Sequence, residues 1–285
     1  MRRVVLESPY AGNVETNVTY ARACMRDCLK RGEAPIASHL LYTQLGILDD
    51  TIPEERALGI EAGLVWGAYG EKTVIYIDRG ISCDMEHAVA RAEKEGRRVE
   101  YRTLHPTKIV TLTGPSGAGK TSIAKELLAL PLDYFKLVVS LTTRTARQSD
   151  LPGEYHCGVL PVTFKENPEF LWVASVHGHS FGTLRTSVDD ALSAEEVHSL
   201  MILAPSVLET LRSYAKARCG GGVLSFYILP PPEEALRMRL KRRGDDSAAI
   251  EKRIADCMLW TEAARKSSIP YLFVSNEEEG GVRNA

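Results

Sequence analysis

The residue types best suited to chemistry stand together at Gly114-Pro115-Ser116-Gly117-Ala118-Gly119-Lys120-Thr121, which fits the spacing G-x-x-x-x-G-K-[ST]. Glycines let a loop curl until successive backbone N–H groups, and the start of the helix behind it, face the β- and γ-phosphates of a nucleoside triphosphate. Lys120 adds a point charge, Thr121 a hydroxyl for Mg2+, and Ser122 carries the loop into its helix. The implied chemistry is binding of ATP with Mg2+.

A second group follows. Ser140-Leu141-Thr142-Thr143-Arg144-Thr145-Ala146-Arg147 sets two guanidinium groups three residues apart, with Asp150 and Gly153-Glu154-Tyr155 close behind. A monophosphate carries close to two negative charges at neutral pH, and paired arginine forks can hold it in line with a donor. A solvated charge cluster is the alternative reading.

These groups need elements to hold them. Lys108 to Thr113 alternates and is rich in β-branched residues, which predicts a buried strand, and Ser122 to Leu130 continues with helical spacing. Further strands are expected near Lys136 to Ser140, Ser199 to Ala204, Leu224 to Leu229 and Tyr271 to Val274, with helices at Ser206 to Cys219, Pro232 to Arg243 and Ser247 to Lys266. The first half also alternates: strands at Val4 to Glu7, Ala34 to Ser38, Thr73 to Ile77 and Arg98 to Tyr101 are separated by helices at Glu15 to Gly32, Glu54 to Tyr69 and Asp84 to Glu95. That rhythm predicts parallel sheets with helices on their faces, an α/β chain of two domains. The seam falls at Thr103-Leu104-His105-Pro106-Thr107, giving domains at 1–105 and 106–285.

Composition narrows the function. A net charge of −2 on 285 residues offers no whole-chain field for nucleic acid or an acidic membrane. The six cysteines are scattered, no apolar run approaches a membrane span, and no leader peptide is evident. A cytoplasmic protein with small-molecule nucleotide partners is expected, without nucleic acid or membrane, and homo-oligomerisation is left open.

The second half resembles the guanylate kinase family. Ser140 to Arg147 is similar to its S-x-TTR-x-P-R signature, with Ala146 replacing proline, and Tyr155 matches the tyrosine that helps bind the acceptor phosphate. Val176-His177-Gly178-His179-Ser180-Phe181-Gly182-Thr183 is similar to the segment ending in tyrosine, glycine and serine or threonine, with Phe181 for tyrosine. Arg239-Leu240-Lys241-Arg242-Arg243-Gly244 and Arg253 resemble the family's lid. The resemblance implies catalytic roles for Lys120, Arg144, Arg147, Arg239, Arg243 and Arg253; one well-placed arginine contributes ~10³-fold to phosphoryl transfer. It places Asn276 near the adenine and makes Ser140, Asp150, Tyr155, Trp172, Phe181 and Thr183 acceptor-side candidates.

Departures from that family shift the expected substrate. Its guanine-reading glutamate is replaced by Trp172, six positions before Gly178, and an indole ring accepts no hydrogen bond from guanine N–H groups. Met201, Leu203 and Ala204 stand where the family carries acidic residues, and Asp150 replaces a glutamate. Trp172 is open to two readings, a core tryptophan or a wall on which another base stacks. The expectation is a kinase of ribo- or deoxynucleoside monophosphates with altered base specificity. The related ribose 1,5-bisphosphate kinases, which also lack that glutamate, suggest a sugar-phosphate alternative, and a non-catalytic nucleotide-binding or interaction module is the rival of another class.

In the first half, Ser8-Pro9-Tyr10-Ala11-Gly12, Ala34-Pro35-Ile36-Ala37-Ser38-His39 and Pro53-Glu54-Glu55-Arg56 resemble small domains related to nucleoside 2-deoxyribosyltransferases, which cleave N-glycosidic bonds with a glutamate nucleophile. In the matching stretch Ser82-Cys83-Asp84-Met85-Glu86-His87-Ala88, alanine holds the nucleophile's position, and Glu86 lies about 200° away around a helix. A domain that binds or processes a related nucleotide is expected, with Ser8, Tyr10, Gly12, His39, Asp78, Asp84 and Glu86 as pocket candidates. The pair His177 and His179 lacks partners at metal-ligand spacing.

Overall fold

The strands Lys72–Tyr76 and Ile109–Thr113 are buried along their whole length, as interior strands of parallel sheets must be. The computed structural model describes residues 1–130, 134–148, 150–164, 167–176, 178–194, 197–242, 244 and 246–276. Its contacts divide into two units, Met1–Leu104 and His105–Ala285.

The first unit runs β1 (Arg2–Glu7), α1 (Val14–Lys30), β2 (Glu33–Ile36), α2 (Ser38–Leu41), α3 (Pro53–Gly67), β3 (Lys72–Tyr76), α4 (Cys83–Lys94) and β4 (Arg98–Arg102). Its sheet has the order β2-β1-β3-β4, all parallel. Alternation along β1 sends Val4 and Leu6 into a core with Tyr20, Cys24 and Cys28 of α1, and Val5 and Glu7 to the opposite face. The starts of α1 and α4 are capped locally: the Asn13 side chain accepts from the Thr16 amide and that of Ser82 from the Met85 amide.

The second unit runs β5 (Ile109–Thr113), α5 (Lys120–Leu128), β6 (Phe135–Leu137), β7 (Ser140–Thr142), β8 (Tyr155–His156), β9 (Phe170–Val176), β10 (His179–Leu184), α6 (Arg185–Ser193), β11 (His198–Ile202), α7 (Leu208–Cys219), β12 (Val223–Ile228), α8 (Glu233–Arg242), α9 (Ser247–Lys266) and β13 (Tyr271–Val274). A five-stranded parallel sheet has the order β13-β12-β5-β11-β6, with β5 in the centre. A second sheet, β8-β7-β10-β9, is antiparallel except for the short β7–β8 pair. The α/β, two-unit architecture agrees with the sequence reading, but the single strand expected at Lys136 to Ser140 does not form. Its residues divide between β6, which pairs with β11, and β7, which pairs with β10 in the other sheet. Among the described residues no helix is long and apolar enough to cross a membrane.

Candidate active site

The loop after β5 emerges where strand order diverges, β11 on one side and β12 on the other, the place where open α/β sheets bind ligands. Its shape depends on glycine. Gly114 and Gly119 have φ of 142° and 99°, and a Cβ on Gly114 would lie 2.4 Å from the Ile228 carbonyl oxygen. No side chain caps α5, so its first amides keep their hydrogen-bonding capacity for an anion. Lys120 Nζ donates to the carbonyls of Gly114 and Pro115, each at 2.8 Å, which holds the ammonium over the loop. Asn276 Nδ2 donates to the Ala118 carbonyl at 3.1 Å and Arg239 Nη1 to that of Gly117 at 3.4 Å. A glycine cradle, an uncapped helix start and an ammonium fit the polyphosphate of a nucleotide.

Beside the loop lies a cleft of about 210 Å³. Gly114, Ser116, Lys120 and Thr121 form one side. Alternate residues of β9 and β10 form another: Trp172 opposite Thr183, Ala174 opposite Phe181, Val176 opposite His179. The Ser140 and Thr183 hydroxyls lie 2.7 Å apart, and the Tyr155 and Phe181 rings meet edge to face at 5.7 Å. Arg144, only 6% exposed, makes two hydrogen bonds of 2.9 Å to Asp150 and sits 5.3 Å from the centre of the Tyr155 ring. Burial raises the pKa of the neighbouring Glu154 and that of Tyr155, keeping the phenol protonated.

Trp172 lies between core and cleft. It is 9% exposed, joins the core cluster with Leu171, Met201 and Leu203, and still presents part of its surface to the cleft. Arg147 and Arg253 also reach the cleft, whereas Pro115, Gly117, Ala118, Gly119, Ser122, Arg239 and Asn276 do not line it. The last two instead brace the loop through its carbonyls. Arg243 and His177 lie outside the described residues.

In the first unit, Ser8, Tyr10, His39 and Asp84 line a cavity of about 370 Å³. Gly12, Asp78 and Glu86 do not. Asp78 accepts from the Tyr20 hydroxyl at 2.6 Å and from the Leu104 amide at 2.9 Å. Glu86 is exposed, as its rotation from position 88 requires, and Ala88 lines the cavity. Ser8 Oγ and His39 Nε2 are 2.9 Å apart, and burial lowers the histidine pKa to about 4.

The family described as guanylate kinase matches residues 106–278, more than half of the chain. The chain belongs to the guanylate kinase family. Guanylate kinase of Nitrosomonas europaea is 33% identical over 180 residues, covering 62% of this chain and 85% of that protein. That of Methylobacillus flagellatus is 39% identical over 149 residues, covering 50% of this chain and 70% of its own. A solved guanylate kinase structure, from Anaplasma phagocytophilum, aligns with a TM-score of 0.40 and 23% identity over 61% of this chain and 78% of that one, too slight a likeness to add to the assignment. Residues 2–102 match a separate family described only as a domain of unknown function (DUF7768).

Within the guanylate kinase domain, sequence reasoning passed over Glu154, Trp260 and His179 as cleft residues. Trp260 had a usable signal: on α9 it stands two turns from Arg253, hence on the same face. In the DUF7768 domain it passed over Glu7, which reads as the ordinary end of a strand.

Proposed function

We propose that the protein is a nucleoside monophosphate kinase whose acceptor is held by aromatic surface rather than read by a carboxylate as guanine. The observation that carries this reading is one cleft that Lys120 and Thr121 share with Arg144, Tyr155 and Trp172. ATP supplies the phosphoryl group. The loop amides and Lys120 bind its phosphates, and the Thr121 hydroxyl is the group suited to hold Mg2+.

The acceptor phosphate is already anionic, so no general base is required. Arg144 and Arg147 hold it, the protonated Tyr155 hydroxyl donates to it, and Arg253 adds charge where negative charge gathers in the transition state. Arg239 acts through the loop it braces. Trp172, Phe181 and Trp260 offer flat apolar faces to a base, and the Ser140 and Thr183 hydroxyls offer limited polar readout. Guanine N1–H and N2–H₂ would find no carboxylate at position 172, a loss worth ~10²-fold or more in discrimination.

The test is ADP release by the protein and by Lys120→Ala, with Mg-ATP and a panel of ribo- and deoxynucleoside monophosphates plus ribose 1,5-bisphosphate. Lys120-dependent turnover with a monophosphate other than GMP is expected. Turnover with the sugar bisphosphate alone would move the acceptor class, and absence of Lys120-dependent turnover with every acceptor would end the kinase reading.

A further inference from the structure

Helix α3 of the DUF7768 domain is apolar on almost every side, yet little of it is covered. After Arg56 its only charged residue is Glu61, and Gly67 is its only buried one. A helix that is apolar all round belongs inside a core. Instead, nine of the twenty-one large apolar side chains that are exposed among the described residues fall between Leu41 and Tyr69.

The unit itself uses two sides of α3. Arg56, Ile60, Leu64 and Gly67 line the cavity of about 370 Å³. On the flank towards α2, a Cβ on Gly63 would lie 2.6 Å from Ser38 Oγ, and the Trp66 indole donates to the Tyr42 hydroxyl at 2.9 Å. The remaining side carries Leu58, Ala62, Val65 and, just past the last turn, Tyr69, spaced i, i+4, i+7 and i+11. That is the seam spacing of paired helices. Leu58 is 57%, Val65 61% and Tyr69 64% exposed, so no described residue of the unit covers the seam. Leu45 and Ile47 stand exposed beside it, on the loop between Tyr42 and Leu48, the two residues that meet Gly59.

Area and charge indicate what covers it. A half-exposed side chain of this size leaves on the order of 100 Å² accessible, so nine leave roughly 900 Å². Monomers seldom carry an apolar patch above about 600 Å², and a stable interface buries about 800 Å² on each partner. The seam side offers no Lys or Arg, which binding to an anionic lipid surface would call for. It does complement itself. Two copies of α3 laid antiparallel about an axis near Gly63 and Leu64 set Leu58 against the partner's Tyr69, Ala62 against the partner's Val65, and Glu61 against the partner's Ala68. No like charges meet. An axis at Ala62 would bring the two Glu61 carboxylates together, so charge also selects the register.

We propose that α3 is the two-fold interface of a homodimer, its outer seam packed antiparallel against the same seam of a second copy of this chain. Ala62, the small residue of the seam, lets the two helices approach, while Leu58 and Tyr69 close its ends. The same patch serves both subunits, so the contact closes at two copies and does not propagate into a filament. No residue of the phosphotransfer cleft takes part, and the dimer stands whether or not that reading holds.

The test is sedimentation equilibrium of the full chain. A dimer is expected at ~10 μM protein, with a melting temperature that rises with protein concentration. Val65→Glu, at an exposed position, should weaken the dimer ~30-fold or more and leave the melting temperature at high dilution unchanged. Ala62→Lys should weaken it likewise. Mixing the two variants should restore dimers, because only the mixed pair sets the introduced ammonium against the introduced carboxylate across the axis. A monomer at ~100 μM, a dimer untouched by Val65→Glu, or no restoration on mixing would overturn the proposal. A monomer that binds phosphatidylcholine vesicles, and loses that binding in Val65→Glu, would assign the face to lipid instead.

Discussion

Arg144 and Asp150 meet fork to fork: Nη1 donates to Oδ2 and Nη2 to Oδ1, both at 2.9 Å. The same carboxylate accepts from the Arg147 amide at 2.8 Å, so one acidic residue shapes the loop that carries both arginines. Burial opposes its charge, yet hydrogen bonds from Arg144 and the Arg147 amide outweigh this and hold its pKa below the ordinary value. Arg144 is therefore held as an ion pair, its charge balanced by Asp150.

That arrangement separates the two residues kinetically. Arg144→Lys removes a planar fork that an ammonium cannot replace and should lower kcat/KM for the acceptor by ~10²-fold. Asp150→Asn keeps the loop's size but frees the guanidinium from its partner; KM for the acceptor should change by roughly tenfold with KM for ATP unmoved. Steady-state ADP release against each substrate distinguishes these outcomes. An equal rise in both KM values would point to a collapsed loop instead.

Gly119→Ala should damage the phosphate loop in two separable ways. A Cβ there would fall 2.1 Å from Asn276 Nδ2, and the left-handed backbone costs an alanine about 1 kcal/mol. ATP affinity should fall at least tenfold and the melting temperature should drop. Adding Asn276→Ala removes the clash but not the backbone strain, so the double variant should recover part of the stability. Full recovery, measured by thermal unfolding, would place the whole effect in the side chain.

A closed ring of charge ties the first unit's sheet together. Arg102 donates to Glu33 at 2.7 and 2.8 Å and to Glu100 at 2.8 Å, and Lys72 bridges the same two carboxylates at 2.7 and 2.6 Å. Hydrogen bonds from Arg102, assisted by Lys72 against the effect of burial, lower both carboxyl pKa values to about 2. For carboxyls lowered in this way the stabilisation is complete above the ordinary value of 4.5 and is lost as pH falls towards 2. Glu33→Gln strands buried cations and should cost about 3 kcal/mol at pH 7, with a flatter decline in melting temperature below pH 4.5 than wild type. Parallel declines would show that the ring does not govern acid unfolding.

The sequence disclosed these parts unequally. The loop at Gly114 to Thr121 is contiguous, and β3 and β5 are rich in β-branched residues, so both could be seen without coordinates. The antiparallel sheet could not. β7 has three residues, β8 two, and β9 and β10 become a wall only through the pairing of Trp172 with Thr183. Trp260 meets that cleft from a helix distant in sequence.

Trp172 offers the most direct test of how the acceptor is read. It faces Thr183 across the strand pair and reaches both the core and the cleft, so substitution has two consequences. Trp172→Glu places a carboxylate where guanine N–H donors need an acceptor, and GMP turnover should rise at least tenfold relative to the wild-type acceptor. The same change removes a buried aromatic and introduces charge, costing ~3 kcal/mol or more, so the assay belongs well below the variant's melting temperature. Trp172→Phe retains an apolar face and should keep the wild-type order of acceptors with a smaller loss of stability. If Trp172→Glu stays folded and its acceptor order is unchanged, the indole is a core residue alone and base selection lies elsewhere in the cleft, with Ser140, Thr183 and Trp260 next to be varied.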